Sequence, residues 1–216
     1  MSKHGIIPRI IHPGIIAIIR SDGPEGIIDA AMAFYQGGIR AVEISLTTPG
    51  ALETIKAVRV ILTEGCLIGA GTVLDAETAR MAILAGAEFA VSPVLNVEMV
   101  RMCNRYGIPT VCGAYTPAEA LAVHECGGDF VKIFPAADLG PRYVRELLAP
   151  MPQLALIPTG GVTLDRCGEY FAAGATAVAI GASVVNKQVL AQRNWSQITE
   201  RARAYVEAAL KAKGLS

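Results

Sequence analysis

Charge of a single sign is missing from this chain. Its 19 Lys and Arg residues balance 19 Asp and Glu residues, for a formal net charge of 0. No Lys/Arg cluster breaks that balance, which speaks against nucleic acid as a partner. Long apolar runs are missing too. A charge or a glycine interrupts every hydrophobic stretch within about 18 residues, short of a membrane span. Met1 to Arg9 lacks the apolar core of a secretory signal. Histidine is scarce: His4, His12 and His124 stand at no metal-ligand spacing, so no His/Cys metal site is expected. The five cysteines (Cys66, Cys103, Cys112, Cys126, Cys167) are odd in number, widely spread and form no C-x-x-C pair. They read as free thiols of a reducing compartment, so a cytoplasmic location is expected.

What is present is core material. Hydrophobic residues make up 52% of 216 residues and charged residues only 18%, enough to fill one large domain over residues 1–216. Residues 1–13 read as a short lead-in helix ending at Pro13-Gly14. Ile15 to Ile19 is a continuous apolar strand, closed by Arg20 and a polar turn. Pro24 to Gln36 carries apolar residues at helical spacing and stops at Gly37-Gly38. The unit then recurs. Strands are expected at Ala41–Leu46, Leu67–Gly71, Phe89–Ser92, Ile108–Cys112, Phe130–Phe134, Leu154–Ile157 and Ala177–Ile180. Helices are expected between them, and a last amphipathic helix follows Asn194. Continuous apolar strands alternating with helices mark a buried, all-parallel sheet. Eight such units match a (β/α)8 TIM barrel of the α/β class, with a short N-terminal helix. An open doubly wound sheet is the alternative, but the G-x-G-x-x-G that usually follows its first strand is absent.

Two strands carry a residue that does not belong in a core. Lys132 stands in the middle of Asp129-Phe130-Val131-Lys132-Ile133-Phe134-Pro135. Glu43 stands in the middle of Ala41-Val42-Glu43-Ile44-Ser45-Leu46. Burial disfavours both charged forms. A neutral amine is a nucleophile that forms a Schiff base with a carbonyl substrate. Its counter-reading is a lysine that reaches water or fills an ion pair. In a barrel, strands two and six lie opposite each other, so Lys132 and Glu43 can meet in the lumen near the strand C-termini, where such barrels place their sites. There the pair reads as a nucleophile with a proton shuttle.

The ends of the last two strands are rich in glycine: Pro158-Thr159-Gly160-Gly161-Val162 and Ile180-Gly181-Ala182-Ser183. Loops after strands seven and eight often hold phosphate, and Ser183 is placed to open a short helix facing an anion. The competing reading is that these glycines only serve tight turns. Thr47, Thr72, Pro93 and Thr116 are further polar or small residues at strand ends. Arg20 can clamp a carboxylate through two parallel hydrogen bonds, or is an ordinary loop arginine.

Together these segments resemble a known family. Gly37-Gly38-Ile39-Arg40-Ala41-Val42-Glu43-Ile44, Ile68-Gly69-Ala70-Gly71-Thr72-Val73, Phe130-Val131-Lys132-Ile133-Phe134-Pro135-Ala136 and Pro158-Thr159-Gly160-Gly161-Val162 are similar to segments of the 2-dehydro-3-deoxy-6-phosphogluconate (KDPG) / 4-hydroxy-2-oxoglutarate (KHG) aldolases. The likeness runs from about Ile15 to Val185. It implies a class I aldolase free of metal and cofactor, assembled as a homotrimer, that cleaves a 2-oxo-4-hydroxy acid to pyruvate and an aldehyde: KDPG first, with its galactonate epimer or the unphosphorylated KHG as alternatives. By the resemblance Lys132 forms the Schiff base and Glu43 is the general acid/base. Thr72 holds the pyruvate carboxylate, and Pro93 and Phe134 line the pocket. Thr159 belongs to the same turn as Gly160 and Gly161, which with Gly181 and Ser183 match the phosphate-binding turns. Some members have Arg where this chain has Thr47, and others share the Thr. Arg20 or backbone N–H groups are then alternative holders of the carboxylate. Tyr115, a bulky residue after strand five, is placed to narrow the pocket. The rival readings are a phosphate-handling isomerase or thiamin-phosphate-type synthase, and a non-catalytic binder on the same scaffold.

Overall fold

The computed structural model describes residues 2–62 and 65–215. Helix α1 (Lys3–Ile11) precedes eight strand–helix units. These are β1 (Ile15–Ile19) with α2 (Ile27–Gln36), β2 (Ala41–Ser45) with α3 (Ala51–Leu62), β3 (Leu67–Gly71) with α4 (Ala76–Leu84), and β4 (Phe89–Ser92) with α5 (Val97–Arg105). They continue with β5 (Thr110–Ala114) and α6 (Pro117–Glu125), β6 (Phe130–Ile133) and α7 (Gly140–Leu148), and β7 (Leu156–Pro158) and α8 (Leu164–Ala172). Strand β8 (Val178–Ile180) is followed by α9 (Lys187–Ala191) and α10 (Trp195–Ala212).

All strand pairs are parallel, in the order β7-β6-β5-β4-β3-β2-β1-β8. A parallel bridge between Thr159 and Ala179 joins the two ends. The sheet is therefore a (β/α)8 TIM barrel with an N-terminal helix. Side chains alternate between its two surfaces, as the period of two demands. Ile16, Leu67, Phe89, Val91, Val111, Phe130 and Ile157 point inward and pack into one apolar plug. Ile6 and Ile10 of α1 close its lower end. Outward residues such as Ala17, Val42, Ile68 and Val131 join the helices in a second, larger core. An ion pair fastens α1 to the barrel: Lys3 Nζ lies 2.7 Å from Asp129, whose carboxylate also accepts the Thr110 N–H. With α1 packed against the N-terminal end, a ligand is expected at the C-terminal mouth, where such barrels place their sites.

Several element bounds differ from the sequence expectation; β7, for one, starts at Leu156 rather than Leu154. Strand β5 starts two residues late and runs to Ala114, because Pro109 has no N–H to give a neighbouring strand. Helix α2 starts at Ile27 rather than Pro24, since its N-cap Gly26 is left-handed at φ 75°. Helix α9 was not anticipated; its five residues are too few to show a periodicity.

Candidate active site

Lys132 sits on β6 between Gly113 of β5 and Ile157 of β7. Glu43 sits on β2 between Ile18 of β1 and Gly69 of β3. Both side chains are buried, at 6% and 2% exposure. Burial lowers the Lys132 pKa from the ordinary ammonium value; Glu43 opposes that shift and Arg20 adds to it. Burial raises the Glu43 carboxyl, against the pull of Lys132 and Arg20. Desolvation thus outweighs the mutual attraction at both groups, and each is pushed toward its neutral form. The two unusual strand residues share one field at the open mouth, and Arg20, at the end of β1, belongs to it.

Space for this pair is made by missing side chains. A Cβ on Gly71 would run into the Glu43 carboxylate, so Glu43 lies directly over the backbone of β3. A Cβ on Gly113 would collide with the Pro93 carbonyl. That brings the β4–α5 loop against the strand next to Lys132, and puts Pro93 on that side of the mouth. Phe134 stands across the amine: Lys132 Nζ lies 4.9 Å from its ring centroid. A ring face stabilises a cation there, which suits a site where a nitrogen becomes positively charged.

A hydroxyl cluster lies one step above Glu43. Ser45, two residues on and so on the same strand face, is fully buried. Its Oγ is 2.9 Å from Thr47 Oγ1 and 3.1 Å from Thr72 Oγ1. Thr72 holds φ at 59°, a left-handed conformation that costs a β-branched residue about 1–3 kcal/mol. Backbone bonds on either side, Leu46 N–H to Gly71 O and Val73 N–H to Val91 O, fix it there. The strain aims a hydroxyl and a backbone turn at the mouth. The β1–α2 loop is tied to the same place, because the Ser21 N–H donates to Thr48 Oγ1 at 3.1 Å.

The glycine-rich ends close the other side. Gly160 and Gly161 have φ of 85° and 74°, which only glycine adopts without strain in succession. A Cβ on Gly160 would sit 3.4 Å from the Phe134 ring, so this turn borders the Lys132 pocket. Among the described residues, the N–H groups of Gly160, Gly161 and Ser183 are not spent on another backbone carbonyl. The Thr159 hydroxyl turns inward and donates to Ile157 O at 3.1 Å, so it braces the turn. Gly181 packs its α-carbon toward Ile18. Ser183 does not open a helix. It lies in a hydrogen-bonded turn closed by Val184 N–H and Val185 N–H on Gly181 O, and α9 begins only at Lys187 under the cap of Asn186. The physical reason is local: Asn186, not Ser183, caps the next helix, its side chain accepting from Val189 N–H.

Lys132, Glu43, Arg20, Thr47, Thr72, Pro93, Phe134, Gly160, Gly161 and Gly181 therefore converge on one mouth, with Ser183 at its β8 edge. Thr159 stands beneath it. Sequence reasoning passed over Ser45, although its spacing of two from Glu43 announces the same face. It gave no role to Gly71 beyond a motif, because a close approach shows only in three dimensions. Among the described residues no cluster of three or more His, Cys, Asp or Glu could hold a metal ion. No described helix is long and apolar enough to cross a membrane.

Comparison with known proteins agrees with the geometry. The family model for KDPG and KHG aldolase matches residues 6–201. The chain is 36% identical over 186 residues to the 2-dehydro-3-deoxy-phosphogluconate aldolase of Treponema pallidum, covering 86% of this chain and 88% of that one. It is 31% identical to the 2-dehydro-3-deoxy-6-phosphogalactonate aldolase of Escherichia coli, covering 90% and 95%. Among solved structures it superposes with a TM-score of 0.81, at 28% identity and over 91% and 97% of the two chains, on the KDPG aldolase of Legionella pneumophila, in which pyruvate is captured as a covalent carbinolamine. Sequence, barrel and relatives agree that the chain belongs to the KDPG and KHG aldolase family and is a class I aldolase, a carbon–carbon lyase.

Proposed function

We propose that this enzyme cleaves KDPG to pyruvate and glyceraldehyde 3-phosphate, with Lys132 as the Schiff-base lysine and Glu43 as the general acid/base. The observation that carries the reading is the buried amine on β6 facing the buried carboxylate on β2 at the open mouth. The depressed pKa supplies a neutral amine, which attacks C2 of the 2-oxo acid. Protonation and loss of the oxygen as water give a cationic imine. Glu43 takes the proton of the C4 hydroxyl, through a water where the reach requires it. The C3–C4 bond breaks, its electron pair moves into the C2–C3 enamine, and C4 leaves as the aldehyde. Glu43 returns its proton to C3, and water hydrolyses the imine to pyruvate and free Lys132. The Ser45–Thr47–Thr72 hydroxyls and Arg20 face the substrate carboxylate. Phe134 and Pro93 line the pocket.

Phosphate recognition is assigned to the Gly160-Gly161 turn and Ser183, whose N–H groups are unspent. The relatives include aldolases named for the galactonate epimer as well as for the gluconate-derived substrate. The deciding experiment is pyruvate release from KDPG, from 2-dehydro-3-deoxy-6-phosphogalactonate and from KHG. We expect kcat/KM to be highest for KDPG. A higher value for the galactonate epimer overturns the stereochemical assignment, and a higher value for KHG overturns the phosphate assignment.

A homotrimer is part of the same reading. Val60 and Ile61 of α3, Leu74, and Met81 and Leu84 of α4 are exposed large apolar side chains on one side of the barrel, of the kind that self-association covers. Light scattering should give three chain masses, and a monomer would reject the assignment.

A further inference from the structure

Helix α10 reaches the candidate site with one side chain. Tyr205 is 3% exposed, and its hydroxyl lies 3.1 Å from Val162 O and 3.2 Å from Ser183 Oγ. Val162 ends the β7 turn and Ser183 belongs to the β8 turn. One phenol thus ties together the two turns that carry the unspent N–H groups. We infer that Tyr205 is a positioning residue for the phosphate end of the site: its hydroxyl fixes the spacing of the β7 and β8 turns and sets the direction of the Ser183 hydroxyl. This rests on the phosphate reading above.

The hydrogen count gives the inference its content. Tyr205 has one O–H hydrogen, and the Val162 carbonyl can only accept. Its O–H is therefore shared between Val162 O and Ser183 Oγ, both of which accept from it, and the Ser183 hydroxyl keeps its own hydrogen. Burial pushes the Tyr205 phenol up from its ordinary pKa, so the group stays a donor through the working range. Packing does not set the direction of Ser183, because a cavity of about 370 Å³ lined by Thr163, Leu164, Arg201 and Tyr205 opens beside it. The hydrogen bond sets it instead. Arg201, one turn earlier on α10, donates to the Ser183 carbonyl at 3.1 Å and holds its backbone. The Ser183 hydrogen is thereby left for a phosphoryl oxygen entering the mouth, while Tyr205 keeps its contacts with Val162 and Ser183. The β7 turn then stays in place as the charge-assisted bond forms.

Tyr205→Phe tests this, since the ring still fills its place and only the hydroxyl is lost. The readout is the ratio of kcat/KM for KDPG to kcat/KM for KHG, which carries no phosphate. We expect the ratio to fall roughly tenfold, mainly through KM for KDPG, about the net size of one lost hydrogen bond. In a Ser183→Ala background the same change should cost less, because the two groups act together. An unchanged ratio in Tyr205→Phe, where the wild type discriminates, overturns the role of Tyr205 alone. An equal loss on both substrates does the same and marks a merely structural residue. A wild type that does not discriminate overturns the phosphate reading and this inference with it.

Discussion

Lys132→Ala releases no pyruvate above background and forms no adduct when pyruvate and sodium borohydride are added. The wild type, treated in the same way, carries one stable pyruvyl modification on the peptide containing Lys132. Only an imine is reduced to a stable amine, so the adduct reports the covalent step directly. The expected loss in turnover is roughly 10⁵-fold or more, about 7 kcal/mol of barrier. No other amine takes over. Among the described residues, Lys132 is the one lysine that is buried at the mouth. Lys213 is also partly desolvated, but it donates to Ile11 O and Thr176 O at the opposite end of the barrel. Intact-mass and peptide mass spectrometry read the outcome. An adduct on a different residue, or full activity without Lys132, would remove the Schiff-base assignment.

That Lys132 could be found in the sequence follows from cost. Desolvating an amine within Phe130-Val131-Lys132-Ile133 is expensive, so the residue stands out against its neighbours. Glu43 stands out in β2 for the same reason. The barrel was legible because each strand is apolar on both faces and each helix shows one stripe. All eight strands lie within two residues at either end of their expected bounds, with β5 shifted by Pro109 at its start.

The rest was hidden for physical reasons. Tyr205 touches Val162 and Ser183 at sequence separations of 43 and 22 residues, and such spacing carries no local pattern. The positive φ of Thr72 contradicts its residue type, so local propensity points the wrong way. Tertiary bonds on both sides impose it, and strain of that kind collects at functional sites. The closeness of Gly71 to Glu43 depends on barrel curvature. Arg20 could be seen at the end of β1, but its influence on both Lys132 and Glu43 could not.

Glu43→Gln separates the two halves of the reaction and changes stability in the opposite direction. The amide cannot take the C4 hydroxyl proton, so turnover should fall about 10²–10⁴-fold, the usual worth of a general base. Imine formation with pyruvate needs only the Lys132 amine and some source of protons. Borohydride trapping should therefore persist, at a lower rate. Activity in the wild type should rise with pH as Glu43 ionises, on an acid limb lying above the ordinary carboxylate range because burial raises that pKa. The variant should lose that limb. Stability follows from the same shift. A carboxyl whose folded pKa exceeds its unfolded value weakens the fold above the folded pKa, where it is ionised in both states. Below the unfolded pKa both states are protonated and the cost vanishes. Gln removes the cost, so Tm of the variant should exceed that of the wild type near neutral pH, and the difference should shrink to nothing in acid. Lys132 attracts the carboxylate and works against this, but it ranks behind desolvation among the causes of the shift. A variant less stable than the wild type at neutral pH would mean that the ion pair dominates. Glu43 would then be a structural partner of Lys132, and the proton shuttle would have to be sought among Ser45, Thr47 and Thr72.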